Sequence, residues 1–499
     1  MSQETPARQS GLDRAILGGL AWTAGAKWMT QAVTWASVLI SARLLSPADF
    51  GTAEMSGFFT GITNILAEFG IGTAVLQMHE LERRAVSQLN TVSAVVGALM
   101  LLFGAAAAPL VALFFHSDKV APLVVVNSTT LLITGFQAIP TGLLQKEMNY
   151  RLLSISEAVF VLVQAVVTVL FAWLGYGYWA LVAGPVAGKF VSAALVIYWR
   201  PHSFALPRWK SVEPALRLAW HVTVGRLAWV LYSQSDSIIV GRVMGDSALG
   251  AYRLATHMAS APAEKVAFLI MRVVGPLFAK VQTDLPAVRR YFRVVTETLA
   301  LSIFPLTFGL AAVAPEFVRV VLGPQWAGVV GPVRWLAVFM GIRTMNSLIT
   351  QVLTSLRHTR FTMWMSLLNF VAMPLAFWAA SGRGAAAVAA AWVILAPVTI
   401  GPSLEKLLRA ADMRRRDYFD SLFPAAVASA AMLAAVLALR VWFPMPHSGD
   451  VARLGVQVGA GGLVYLLLMS TVFRERLLRY VNFLRSVRKD KTAPATVET

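Results

Sequence analysis

Long apolar runs recur along almost the entire chain, and they leave few folds open to it. Fourteen such stretches are separated by short polar segments, at 15–42, 50–76, 88–115, 120–144, 152–174, 177–199, 214–240, 247–275, 294–321, 328–354, 361–380, 385–408, 419–443 and 453–473. Each reaches the roughly 20 residues that an α-helix needs to cross the hydrocarbon of a bilayer. Inside hydrocarbon, backbone polar groups must be satisfied within the helix or in a closed barrel. Barrel strands are short and alternate in polarity, whereas these runs are long and continuous. The expected fold is therefore an all-α integral membrane protein with about 14 transmembrane helices. Composition agrees: 14% of the 499 residues are charged, against about 25% in a soluble domain.

The formal net charge of +18 would suit a nucleic-acid partner, but its placement argues for topology instead. With fourteen spans and the N-terminus inside, 29 of the 43 lysines and arginines fall in cytoplasmic segments, nine fall on the other side and five fall within spans. That is the positive-inside bias. It predicts both termini in the cytoplasm and requires no polyanion. The first apolar run is too long for a signal h-region, so it is expected to stay as a span. Cysteine is absent, which excludes disulfides and thiolate chemistry.

Five cations lie in the middle of apolar runs: Lys27, Lys189, Arg226, Lys265 and Arg343. A charge at the centre of a bilayer costs roughly 2.5–3.5 kcal/mol on insertion scales, and such residues mark functional paths. Two of them also mark an internal duplication. Lys27, Arg43 and Gly51 recur as Arg226, Arg242 and Gly250, each shifted by 199 positions, and SARLLSPADFGTA aligns with VGRVMGDSALGAY. Two halves that each bring a cation to a shared interior are a common transporter design. The expected organisation is a cytoplasmic segment 1–14, a six-helix lobe 15–199, a linker 200–213 rich in proline, a second six-helix lobe 214–410, two extra helices over 411–474 and a basic tail 475–499. The tail is amphipathic and fits either the anionic inner leaflet or a solvated end.

Polar stripes accompany the cations. Thr23, Lys27, Gln31 and Thr34 share one helical face, as do Ser56, Thr60, Asn64 and Glu68, then Thr223, Arg226, Ser233 and Asp236, then Arg343, Asn346, Ser347 and Thr350. Such stripes are expected to line an aqueous cavity between the halves through Lys27, Arg226 and Arg343, while for the serines and threonines interhelical packing is the favoured reading. The acids expected to be buried are Glu54, Glu68, Glu157, Asp236 and Glu264, too few near the cations to neutralise all of them. Glu68 leads the candidates for carrying a coupling proton or Na⁺, followed by Glu157, Glu264 and Asp236, since burial raises a carboxyl pKa; salt bridges to the cations are the alternative. No catalytic motif, metal-ligand spacing or phosphate loop occurs, so an enzyme and a resident cofactor are not expected. GYG at 175–177 reads as a turn between two spans.

With those residues in view, the chain resembles the WzxC-type polysaccharide transporters of the multidrug/oligosaccharidyl-lipid/polysaccharide exporter superfamily. The resemblance rests on ARLLSPADFG (42–51), EFGIGTAVLQ (68–77), LLQKEMNYRLLSISEA (143–158), GYGYWALVAG (175–184) and DSIIVGRVMGDSALGAYRLA (236–255). It implies two six-helix lobes plus two C-terminal helices in the bacterial inner membrane. It implies flipping of an undecaprenyl-pyrophosphate-linked oligosaccharide by alternating access through a cationic cavity, a role that would fall on Lys27, Arg226 and Arg343, and on Lys189 and Lys265. A polysaccharide polymerase and a chain-length regulator are implied partners beside membrane lipids. Other cargo on the same fold, such as lipid II or a small molecule, and a membrane polymerase or ligase remain open alternatives at this point.

Overall fold

A computed structural model describes residues 29–68, 83–201, 203–207, 223, 227, 230, 232–443 and 449–476. Among them there is no strand. They form two compact units that divide between Gly250 and Ala251. Ten helical segments are long and apolar enough to span a bilayer: 84–115, 120–146, 150–173, 177–199, 285–321, 324–355, 359–381, 385–410, 415–442 and 450–471. Each matches an expected run to within a few residues, except that 285–321 begins nine residues earlier than expected.

The first unit holds α1 (29–44), α2 (Pro47–Glu68), α3 (Arg83–Phe115), α4 (Val120–Lys146), α5 (Tyr150–Trp173) and α6 (Ala180–Trp199). It also holds the start of α7 (Ser235–Val281), which breaks at Gly245 with φ +83°. That left-handed backbone favours glycine, and it separates the two spans expected at 214–240 and 247–275. Connections are short. His116, Met148, Arg357 and Asp412 adopt positive φ just beyond helices, the left-handed caps that let a helix stop abruptly. The GYG segment is the expected turn, with Gly175 and Gly177 at positive φ.

The duplicated motif acquires a physical meaning here. Ser46 and Asp49 form a capping box at the start of α2: the Ser46 amide (2.9 Å) and hydroxyl (2.6 Å) donate to Asp49 Oδ2, and the Asp49 amide donates back to Ser46 Oγ (3.2 Å). Pro47 occupies the first helical turn, where its missing N–H is harmless. Gly51 and its repeat partner Gly250 then meet. A Cβ on Gly51 would lie 1.7 Å from the Asp246 carbonyl oxygen, and one on Gly250 would lie 1.9 Å from that of Pro47. The two copies of the motif therefore start two helices and let them cross backbone against backbone, as small residues do inside membranes.

In the second unit α8 (Leu285–Val321) packs on α9 (Val330–Ser355), α13 (Arg415–Trp442) and α14 (Asp450–Thr471). The rest of α7 from Ala251, α10 (Thr359–Ser381), α11 (Ala385–Ile394) and α12 (Ala396–Ala410) complete it. The two C-terminal helices are fastened along the length of α8. Arg289 donates to Asp412 (2.9 Å), Arg293 pairs with Asp417 (2.6 Å), Glu297 with Arg476 (3.3 Å) and Arg319 with Asp450 (3.2 Å). Between these polar ends Ala312, Val313 and Val436 form an apolar cluster with Phe317, Leu433 and Leu454.

Candidate functional site

One helix face separates itself from the rest. On α9 the exposed residues after Trp335 are Arg343, Ser347, Thr350 and Thr354, at helical spacing, with Asn346 half-buried beside them. The opposite face buries Met345, Leu348, Ile349 and Val352. Its neighbour α10 shows what a lipid-facing surface looks like on this chain: Trp364, Leu367, Leu368, Val371, Leu375 and Trp378 are all exposed. Lipid has no hydrogen bonds to offer polar groups. The α9 stripe is therefore suited to water or to a polar ligand.

The stripe also leaves its cation uncommitted. Ser347 Oγ donates to the Arg343 carbonyl (3.1 Å) and Thr354 Oγ1 to the Thr350 carbonyl (2.8 Å), so these hydroxyls are tied to their own helix. The Arg343 guanidinium has no acidic partner among the described residues, and its recorded contact is Met340 Sδ at 3.8 Å. Asn346 Oδ1 is buried without a hydrogen-bond partner. Such an arrangement supplies a forked donor to an anion together with amide and hydroxyl groups that suit a sugar.

The other expected site residues are distributed as follows. Lys27 and Arg226 lie outside the described residues. Lys189 is half-buried on α6, and Lys265 is exposed on α7 next to the exposed Glu264. Glu157 is exposed on α5. Glu68 closes α2, and its side chain lies outside the described residues. Asp236 is buried at the start of α7, with Oδ1 accepting from the Ser237 amide at 2.6 Å.

For one stripe the interhelical-packing reading of the serines and threonines holds: Ser56, Thr60 and Asn64 on α2 pack against α4. Ser56 and Thr60 are buried, Asn127 Nδ2 of α4 donates to Ser56 Oγ (2.9 Å), and Thr134 Oγ1 of α4 donates to Asn64 Oδ1 (3.1 Å). The stripe joins two helices, because in an apolar medium a hydroxyl or amide is best satisfied by its counterpart across the interface. Ser156 of α5 and Ser192 of α6 do the same at 2.7 Å.

Sequence reasoning passed over one buried acid. Glu316 of α8 is 6% exposed and pairs with Arg440 of α13, which also donates to the Ala312 carbonyl at 3.0 Å. Its partner lies 124 positions away, so no local pattern signals it.

Known proteins supply the family. Residues 40–331 match the family described as polysaccharide biosynthesis protein, which is more than half of the chain. The chain belongs to the polysaccharide biosynthesis protein family. Among curated relatives of this family, the succinoglycan biosynthesis transport protein ExoT of Rhizobium meliloti (strain 1021) is 26% identical over 97% of this chain and 98% of its own length. The teichuronic acid biosynthesis protein TuaB of Bacillus subtilis (strain 168) is 24% identical over 94% and 98%. The lipopolysaccharide biosynthesis protein WzxC of Escherichia coli (strain K12) is 25% identical over 68% and 70%. The resemblance read from the motifs therefore holds. Among solved structures, the lipid II flippase MurJ in an inward closed conformation superposes with a TM-score of 0.71 at 13% identity, over 91% of this chain and 99% of that one. An inward-facing MATE-family multidrug transporter of the MOP superfamily gives 0.57 at 12% identity, over 77% and 96%. This family member thus has the fold of the MOP transporters and is a multi-pass membrane protein.

Proposed function

We propose that this protein moves an undecaprenyl-pyrophosphate-linked oligosaccharide across the bacterial inner membrane, for exopolysaccharide, capsule or O-antigen synthesis, by alternating access through a cationic cavity. The observation that carries the reading is Arg343, exposed and without an acid on the polar face of α9. A pyrophosphate and its sugars cannot cross about 30 Å of hydrocarbon unaided. A guanidinium replaces phosphate hydration with paired hydrogen bonds. Lys27 and Arg226, related by the duplication, would add charge from the other repeat positions, and Lys189 and Lys265 would hold the anion on entry or exit. Separated cations suit passage better than one tight clamp, because the head group must leave again. The transport name of the full-length relative ExoT supports this reading over a polymerase or ligase.

The test is flipping in proteoliposomes with a fluorescent undecaprenyl-pyrophosphate oligosaccharide, with and without a pH or Na⁺ gradient. Wild type should translocate the lipid, and Arg343→Ala and a Lys27→Ala/Arg226→Ala double variant should lose most of the rate while inserting normally. Full activity of all these variants would overturn the cationic path. Dependence on a gradient would assign coupling to a carboxylate, with Glu68→Gln the first variant to measure. Translocation of lipid II with no oligosaccharide flipping would replace the proposed cargo.

A further inference from the structure

We propose that the junction of α12 and α13 is a binding site for an anionic phospholipid, separate from the transport path. The two helices are joined by a tight turn at Ala411–Arg414, with Asp412 at φ +50°. Between the last turns of α12 and the first turn of α13 lies a recess of about 350 Å³ lined by Gly401, Pro402, Leu404, Glu405, Leu408, Arg415 and Phe419. That is within the size range of small-molecule sites. Its floor is apolar and its rim is basic.

The charge of the rim exceeds what its acid neutralises. Glu405 accepts from Arg409 Nε (3.1 Å) and Nη2 (2.8 Å) and also from Arg415. One carboxylate is thus shared by two guanidinium groups, whose side chains remain 77% and 72% exposed. Arg414, at the turn, is exposed and has no acidic partner among the described residues. Arg416 reaches Asp420 only at 3.7 Å. A phosphate approaching this rim meets several unsatisfied N–H donors and an excess of positive charge.

Position selects a lipid over a free phosphate. The recess lies where span 385–410 ends and span 415–442 begins, at the level of the head groups. The loop charge bias assigns that end to the cytoplasmic leaflet, whose anionic lipids attract such clusters. A head group can sit at the arginines while acyl chain covers Leu404, Leu408 and Phe419. Gly401 keeps the recess open, since a Cβ there would meet nothing within 4 Å.

The experiment is native mass spectrometry of the full chain released from detergent with phosphatidylglycerol, with phosphatidylcholine, or with inorganic phosphate at the same concentration. Wild type should retain phosphatidylglycerol under activation that strips phosphatidylcholine. An Arg414→Ala/Arg415→Ala variant should retain it about thirtyfold less, as expected for two juxtamembrane cations. Gly401→Leu fills the recess without altering charge and should reduce retention similarly, which keeps the test valid if the arginine variant misfolds. Unchanged retention in Gly401→Leu would overturn the proposal, and so would inorganic phosphate competing as well as the lipid. Flipping by the Gly401→Leu variant should persist, because the site is distinct from Arg343.

Discussion

Arg343 and Arg440 are both arginines in apolar helices, and the structure gives them opposite characters. Arg440 is committed to buried Glu316 and to a backbone carbonyl; Arg343 has no acid among the described residues. Removing one member of a buried pair leaves an uncompensated charge, at a cost of about 3–5 kcal/mol. The Arg440 side chain is still 26% exposed, so the expected loss for Glu316→Gln is near the lower end, roughly 3 kcal/mol. A fluorescence melt of the detergent-purified protein should show it as a clearly lowered midpoint. Arg343→Ala should leave the midpoint within error and remove transport instead. The reverse pattern would mean that the roles of the two arginines are exchanged. The sequence shows Arg343 in the middle of an apolar run and Arg440 near the end of one. It does not show which one has a partner, because partnership depends on residues more than a hundred positions away.

At the scale of elements, periodicity and hydropathy were enough for most helices, since backbone in hydrocarbon has few alternatives. They were not enough for α2. Its serine and threonine face is polar at helical spacing like the α9 face, yet α4 covers the one while Arg343, Ser347, Thr350 and Thr354 of the other are exposed. Periodicity reports that a face is polar and leaves open what lies against it. The SPADFG motif was legible as a repeat, while its purpose came from the capping box and the Gly51–Gly250 crossing. That crossing makes a controlled prediction. Gly51→Ala and Gly250→Ala place a Cβ against carbonyl oxygens at 1.7 and 1.9 Å, so the helices must separate and thermal stability must fall. Gly57→Ala and Gly61→Ala on the same helix α2 meet nothing within 4 Å. Alanine is the better helix former by about 1 kcal/mol, so those two should melt at or above wild type. Equal effects at all four positions would mean that the crossing is not a tight contact.

For the whole molecule, the segregation of lysine and arginine is the strongest statement about orientation, because cations near span ends are retained on the cytoplasmic side. With an even number of spans it places both termini together, and it predicts an alternation of sides at each exposed turn. Lys119 and Arg383 follow the third and eleventh runs, odd-numbered runs whose ends fall outside, whereas Arg357 follows the tenth, which ends inside; all three are exposed. The chain contains no cysteine, so single cysteines can be read without background. A membrane-impermeant maleimide added to intact cells should label Lys119→Cys and Arg383→Cys and should leave Arg357→Cys, Ser2→Cys and Thr499→Cys unlabelled until the membrane is opened. Labelling of only one terminus would require an odd number of spans and would remove the pairing of two repeats plus two helices. Labelling of Arg357→Cys with protection of Lys119→Cys would invert the protein, and the basic rim at α12 and α13 would then face the leaflet opposite to the one its charge predicts.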